Sequence, residues 1–271
     1  MIFICPICQE ALRESGGAAV CPRGHSFDRA REGYYNLLLG QGAGTHGDNA
    51  EMVRARREFL SSGAYEPLAR RVGELVSEYT VPSGLVLDVG CGEGYYTDIV
   101  YTALTARDPS ARVSAFDISK DAARRAAKRN KNISVAVASA YRMPIASGSV
   151  DTVMNLFSPL APDEVWRTLA GGGKFIIAFP AEEHLFGLKA AIYDTPYKNE
   201  PEDDALRGFK LLHRERMTYS MTLSAVLARE LFMMTPYAYR TTERERERLF
   251  SLGELTTDAD FYIFVYEKGE L

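Results

Sequence analysis

The chain has 271 residues, 46% hydrophobic and 25% charged, which suits one α/β domain with a small appendage and excludes a disordered polymer. No apolar run reaches the roughly 18 residues of a membrane helix, and the start MIFICP has neither the basic lead nor the long apolar centre of a signal peptide. A cytoplasmic protein without membrane contact is expected, and a net charge of −4 does not by itself name a nucleic-acid partner.

In chain order, residues 1–38 read as a compact knuckle with short strands near 2–4 and 18–20. Residues 39–49, containing GQGAGTHGDN, read as a linker. Asp48 with Glu51 three residues on has the capping-box pattern and opens a helix to about Leu60. Pro67 begins a second helix with Leu68, Val72, Leu75, Val76 and Tyr79 on one face. Strands and helices then alternate: strand 85–89, helix 95–105, strand 112–117, helix 119–130, and strands near 133–137 and 150–156. A short helix opened by Pro162 and a strand at 174–179 follow. This βαβα rhythm predicts a mostly parallel sheet with helices on both faces. Late strands at 209–219 and 261–266 flank a helix at about 222–233, and the sign alternation of 243–248 reads as a solvated helix face. Residues 50–271 are expected to form one domain whose core is separate from that of the knuckle.

The cysteines carry the first chemical signal. Cys5-x2-Cys8 is followed by Cys21-x3-His25, with Pro6 and Pro22 after the first ligand of each pair and Gly24 before His25. Two tight turns, each presenting two soft donors, are what a tetrahedral structural zinc requires. A disulfide reading leaves one of the three clustered cysteines unpaired. Four protein ligands close the coordination shell, so this metal is structural rather than catalytic.

The second signal is VLDVGCGEGYY at 86–96, an apolar strand running into G-x-G-x-G and a helix. Glycine there lets the backbone approach a ligand at the carboxyl end of a parallel sheet. Asp117 ends the next strand, where a carboxylate can accept both ribose hydroxyls. Asp88, just before the glycines, would repel a dinucleotide's pyrophosphate. S-adenosylmethionine has no phosphate, and Asp88 can order the loop around its methionine portion. The pattern therefore favours a methyltransferase over a dehydrogenase. Cys91 reads as a small residue in a tight loop rather than a nucleophile, which N-methylation does not need.

With CPICQ at 5–9, CPRGHSFDRAREGYYNLL at 21–38, GDNAEMVRARREFL at 47–60, LDVGCGEGYYT at 87–97 and MTPYAYR at 234–240, the whole chain resembles the RlmA-type 23S rRNA (guanine-N1)-methyltransferases. The resemblance implies a class I methyltransferase domain, Rossmann-like with a seven-stranded sheet, behind the zinc-binding module. It implies zinc at Cys5, Cys8, Cys21 and His25. It implies S-adenosylmethionine contacts from Tyr65, from the 90–94 turn with Gly90, Gly92, Glu93, Gly94 and the adjoining Tyr95, and from Asp117. Ser139 stands where many class I enzymes have an acidic residue, so the serine hydroxyl and the main chain at Ala140 are expected to hold adenine. His184 matches a histidine that in the family follows a PGP-like run, here Pro180-Ala181-Glu182-Glu183, and beyond a strand's carboxyl end it is expected to touch the cofactor, with capping of the next helix as the alternative. NLFSP at 155–159 looks like the Gram-positive branch, and Asn155 and Ser158 are candidates for the acceptor-base edge or for capping the strand end. Guanine N1 bears a proton that a group or water accepts, and no carboxylate pair or Ser/His/Asp set marks the acceptor.

For the implied 23S rRNA hairpin, Arg29 and Arg31 after the knuckle and Arg54, Arg56 and Arg57 on the first helix are candidate contacts, in a chain with 24 arginines and 8 lysines. The first 60 residues carry seven arginines and seven acidic residues, so shape recognition aided by a homodimer is expected. A small-molecule methyltransferase that kept the zinc module and a non-catalytic RNA-binding or cofactor-sensing protein are the alternatives.

Overall fold

A computed structural model describes residues 1–40, 50–201 and 205–270. Residues 41–49 of the expected linker, with the Asp48 cap, lie outside the described residues. Strands β1 (Arg13–Ser15), β2 (Ala18–Val20) and β3 (Ser26–Asp28) form a small antiparallel sheet, and β4 (Tyr34–Asn36) leaves it. Helices α1 (Ala50–Ser61) and α2 (Glu66–Tyr79) precede the alternating region. That region runs β5 (Leu85–Val89), α3 (Tyr95–Arg107), β6 (Arg112–Asp117), α4 (Lys120–Arg129), β7 (Ser134–Val137) and β8 (Val150–Leu156). It continues with α5 (Pro162–Thr168), β9 (Leu169–Pro180) and α6 (Phe186–Ile192). The tail comprises β10 (Phe209–Ser224), α7 (Ala225–Met233), a 3-10 turn Pro236–Tyr239, α8 (Glu243–Phe250) and β11 (Glu254–Lys268).

The large sheet has the order β10-β11-β9-β8-β5-β6-β7-β4, parallel from β9 to β4 and antiparallel at β10 and β11. β5 is buried along its whole length because Val86 packs with the helices on one face and Leu85, Leu87 and Val89 with the N-terminal segment and α5 on the other, whereas edge strand β10 alternates between half-buried and exposed positions over most of its length. The expected count of seven strands is one short. β4, contributed by the N-terminal segment, pairs parallel with β7, Tyr34 opposite Val135 and Asn36 opposite Val137. The strand expected at 2–4 exists only as single bridges, Phe3 to Ile145 and Ile4 to Ala11.

The expectation of separate cores is also corrected. Phe3, Leu12, Tyr35 and Leu37 of the N-terminal segment share one apolar cluster with Leu87, Phe116 and Ile177 of the large sheet. Main-chain bonds reinforce the junction, Ile4 N–H to Pro144 O at 2.8 Å and Leu37 N–H to Val137 O at 3.0 Å. The short N-terminal strands cannot enclose those side chains, so they are buried against the sheet, each for about 1.5–3 kcal/mol.

Local sequence explains the helices that frame the site. α4 is capped by Ser119, whose hydroxyl accepts the Ala122 N–H at 3.3 Å, and its alanines 122, 123, 126 and 127 make the buried stripe. α8 has the reciprocal cap of Thr242 and Glu245 and buries Leu249 alone, as its charge alternation implies. α7 starts at Ala225 rather than 222 because β10 continues to Ser224, which caps it.

Candidate functional site

In the knuckle, Cys5 and Cys21 are buried and Cys8 and His25 half-buried, with all four ligand atoms within 4.8 Å of one another. His25 Nδ1 lies 3.5 Å from Cys5 Sγ and 3.3 Å from Cys21 Sγ, and Cys8 Sγ lies 3.6 Å from Cys21 Sγ. A tetrahedral zinc, bonded at about 2.3 Å to sulfur and about 2.0 Å to nitrogen, has donor–donor edges of about 3.5–3.8 Å. The donor set fits that ion in size and chemistry. Each ligand pair sits on a closed turn, Gln9 N–H to Cys5 O at 2.8 Å and Gly24 N–H to Cys21 O at 2.9 Å, with Gly24 at φ +84°.

The glycine turn sits at the carboxyl ends of β5 and β6. A Cβ on Gly90 would lie 2.3 Å from Ser158, so only glycine fits. Gly92 differs: at φ +55° its missing Cβ would meet nothing within 4 Å, and its open side faces a cavity. Glu93, Asp117, Ser119 and Ala122 wall that cavity from the sheet side, and Val53 and Arg56 of α1 from above. The Asp117 carboxylate accepts Gly92 N–H at 2.9 Å and Ser119 N–H at 2.8 Å. Burial raises its pKa, opposed by those amides and by Arg56. The turn and the strand-end carboxylate thus present an open backbone cradle beside spare acceptor lone pairs, which fits a ribose.

The other predicted residues divide around this cradle. Asp88 is buried and accepts the Thr97 hydroxyl at 2.6 Å, and burial lifts its pKa to about 7. Glu93 pairs with Arg129 at 2.9 Å, and that guanidinium also lies 5.9 Å from the Tyr95 ring centre. Gly94 packs against Ala126 of α4. Ser139 and the half-buried Ala140 follow β7; Ser139 lines a second cavity of about 350 Å³ between the knuckle and the 139–147 turn. Cys91 is buried with its thiol pKa pushed well up, an inert environment.

Tyr65 and His184 meet on the far side of the turn, Oη to Nε2 at 3.3 Å. Their rings join Phe261, whose centre is 5.3 Å from Tyr65 and 4.5 Å from His184. Phe157 lies 5.5 Å from Phe261 and 5.9 Å from Tyr96, which completes an aromatic wall. Such faces suit a sulfonium cation and exclude water. Asn155 Nδ2 donates to Ser158 Oγ at 2.9 Å and to Pro159 O at 3.3 Å, and Ser158 Oγ donates to Val89 O at 2.8 Å. These bonds lock the strand end and hold Phe157 at φ +57°, a residue 44% exposed.

Three residues here are not marked by the sequence. Arg56 falls among the RNA arginines by position, yet it lines the cavity beside Gly92 and Asp117. Phe157 and Phe261 carry no motif, although Phe157 sits between the candidates Asn155 and Ser158. Of the RNA candidates, Arg54 is held by Glu230 at 3.2 Å, Arg31 approaches Glu32 at 3.8 Å, Arg29 lies 6.0 Å from the Tyr35 ring centre, and Arg57 is exposed. No helix among the described residues is long and apolar enough to cross a membrane.

Comparison with known proteins follows the same division. The RlmA N-terminal zinc-ribbon family matches residues 3–41, and a methyltransferase-domain family matches 86–173. A Micromonospora griseorubida protein named as a 23S rRNA (guanine-N1)-methyltransferase is 35% identical, over 93% of this chain and 92% of its own. The 23S rRNA (guanine(748)-N1)-methyltransferase of Streptomyces fradiae is 29% identical over 96% of this chain and 95% of its own. The YcgJ structure from Bacillus subtilis aligns with TM-score 0.50 at 13% identity, over 73% of this chain and 98% of that one, a likeness of fold alone. The chain therefore belongs to the RlmA-type 23S rRNA (guanine-N1)-methyltransferase family: it is an S-adenosylmethionine-dependent methyltransferase with a structural zinc.

Proposed function

We propose that this protein methylates N1 of a guanine in a 23S rRNA hairpin, with the Gram-positive-type target, guanine 748 of the Streptomyces fradiae relative, as the acceptor. The observation that carries the reading is that the resemblance to relatives named for this reaction runs through zinc knuckle and methyltransferase site alike, over at least 93% of the chain. Residues 1–38 serve as the RNA-reading module on the methyltransferase domain, with Arg29, Arg31, Arg54 and Arg57 as its cationic contacts. A homodimer doubles that footprint, and its rRNA substrate places it in the cytoplasm.

When bound, S-adenosylmethionine supplies an electrophilic methyl group. Asp117 holds the ribose hydroxyls and Gly92 gives the backbone room for close approach. Gly90, Gly94, Glu93 and Tyr95 fix the turn, and Ser139 with the Ala140 main chain borders adenine. Asp88, Tyr65 and His184 shape the methionine end. Val53 and Arg56 of α1 border the same cradle opposite Asp117 and Gly92. Asn155 and Ser158 act through Phe157, whose exposed ring is a platform for the acceptor base. Catalysis is then positioning and exclusion of water. His184 is no proton acceptor, because both its ring nitrogens are engaged.

Incubation with labelled S-adenosylmethionine and unmodified rRNA tests the reading. Label should enter RNA as 1-methylguanosine and give a reverse-transcription stop at the target. Label confined to small molecules, or cofactor binding without transfer, would replace it with one of the two alternatives.

A further inference from the structure

Helix α4 carries a charge pattern that neither the knuckle nor the glycine turn accounts for. Between positions 120 and 131 stand six cations, Lys120, Arg124, Arg125, Lys128, Arg129 and Lys131, against Asp121 alone, a local +5 in a chain of net charge −4. The alanine stripe of α4 is buried, so helical periodicity confines the Arg124, Arg125, Lys128 and Arg129 positions to the opposite, outward side.

This face continues into the two cationic segments on either side of it. Lys131 Nζ donates to the main-chain oxygen of Glu32 at 2.5 Å, and the Glu32 carboxylate lies 4.0 Å from Lys128 and 3.8 Å from Arg31. The knuckle's arginines therefore abut the carboxyl-terminal half of α4. Toward α1, Arg129 pairs with Glu93 at 2.9 Å, and the same carboxylate lies in the fields of Arg57 and Arg125. Glu32, Glu93 and Asp121 each serve two or more of these cations, which leaves a cationic excess. The cations keep solvent-facing N–H groups beyond these pairs, Lys128 and Arg31 with side chains 53% and 91% exposed, so phosphate oxygens can be added to them.

We infer that the outward face of α4 is the surface along which the phosphate backbone of the RNA hairpin lies, bridging Arg31 of the knuckle to Arg57 of α1. The amino-terminal end of α4 places that path beside the chemistry, since Ser119 and Ala122 wall the cofactor cradle. The inference rests on the rRNA reading of the site. It adds a continuous docking surface where the sequence offers two separate arginine clusters.

The test compares wild-type protein with the triple variant Arg124→Ala, Lys128→Ala, Lys131→Ala on an unmodified transcript of the 23S rRNA hairpin. Arg244→Ala on the solvated helix α8 is the control. The triple variant should bind RNA at least about tenfold more weakly near physiological salt. Its log–log salt slope should be shallower by about 0.7–0.9 for each phosphate that the variant no longer neutralises. Cofactor affinity and thermal midpoint should match wild type, and Lys128→Arg should retain RNA binding. Wild-type methylation of the hairpin with an unchanged slope in the triple variant would overturn the α4 surface while the rRNA reading stands. Failure of wild-type protein to bind or methylate the transcript overturns the rRNA reading, and the α4 inference with it.

Discussion

His184 Nδ1 accepts the main-chain N–H of Asp260 at 3.2 Å, so the ring proton sits on Nε2 and is donated to the Tyr65 hydroxyl at 3.3 Å. Burial, with a smaller repulsion from Lys189, lowers the His184 pKa to about 3. The folded value lies below the unfolded one of about 6.5, so the unfolded chain binds the extra proton first as pH falls. Stability tied to His184 is thus full above about pH 6.5 and drains below it, by about 2 kcal/mol at pH 5. His184→Gln should flatten the stability profile between pH 7 and pH 5 in thermal melts. An equally steep loss in the variant would mean that another group drives the acid sensitivity.

Asp88 titrates with the opposite sign. Burial raises its pKa to about 7, so the folded protein holds a proton that the unfolded chain has released above about pH 4. Its contribution is full below the unfolded pKa and falls as pH rises through 7. Asp88→Asn keeps an oxygen for the Thr97 hydroxyl and should stabilise the protein at pH 8 more than at pH 5. Denaturant midpoints at the two pH values decide it, and a gain that is larger at pH 5 contradicts the assignment.

Gly90 and Gly92 share one turn but should respond differently to a side chain. Gly90→Ala drives a Cβ to 2.3 Å from Ser158 and should destabilise the fold by about 1–3 kcal/mol. Gly92→Ala meets no protein atom within 4 Å and costs about 1–2 kcal/mol for its left-handed backbone, yet it intrudes on the cavity proposed for the cofactor. Asp117→Ala should weaken S-adenosylmethionine binding by about 1–3 kcal/mol. Calorimetry separates the effects: full affinity in both Gly92→Ala and Asp117→Ala would move the cofactor elsewhere.

How much of the fold and site is legible in the sequence follows from the range of each interaction. The zinc ligands and the glycine turn are legible because their chemistry depends on spacing within a few residues. The alternating strands are legible through local apolar runs, as with the fully buried 85–89 strand. β4 is not, because Tyr34–Asn36 is short and acquires its sheet from Val135–Val137, about a hundred residues away. Arg56 and Arg57 are neighbours in sequence, but one helical step of about 100° sends the first into the cradle and leaves the second exposed. Phe261 reaches Tyr65 and His184 only through the antiparallel pairing of β11 with β9, which no local pattern encodes.

The RNA candidates should separate by their partners. Arg54 is bound to Glu230 of α7, so Arg54→Ala loses a tie between helices as well as a cation. Arg57 and Arg31 are exposed, and the Arg31 side chain is 91% so. Arg31→Ala and Arg57→Ala should each lower the salt slope of RNA binding by about one unit without changing the melting midpoint. Arg54→Ala should lower the midpoint as well. Slopes equal to wild type in all three would remove these arginines from the RNA surface.

The zinc should matter to the cofactor site, contrary to what separate cores would imply. Its four ligands close the turns that carry Phe3, Leu12, Tyr35 and Leu37 into the cluster beneath the large sheet. Losing the metal frees those turns and, with them, the pairing of β4 on β7. β7 leads directly to Ala138, whose N–H donates to Asp117 O at 3.0 Å, and then to Ser139. A disturbance at the sheet edge thus reaches the acidic residue expected to hold the ribose within a few steps of main chain. Chelation, or Cys8→Ser, should therefore weaken S-adenosylmethionine binding as well as unfold residues 1–38, and adding zinc back to the chelated wild type should restore both. Calorimetric titration of zinc-replete and zinc-depleted protein reads this directly. If depleted protein without knuckle structure by circular dichroism still binds cofactor at full affinity, the shared core does not transmit the loss.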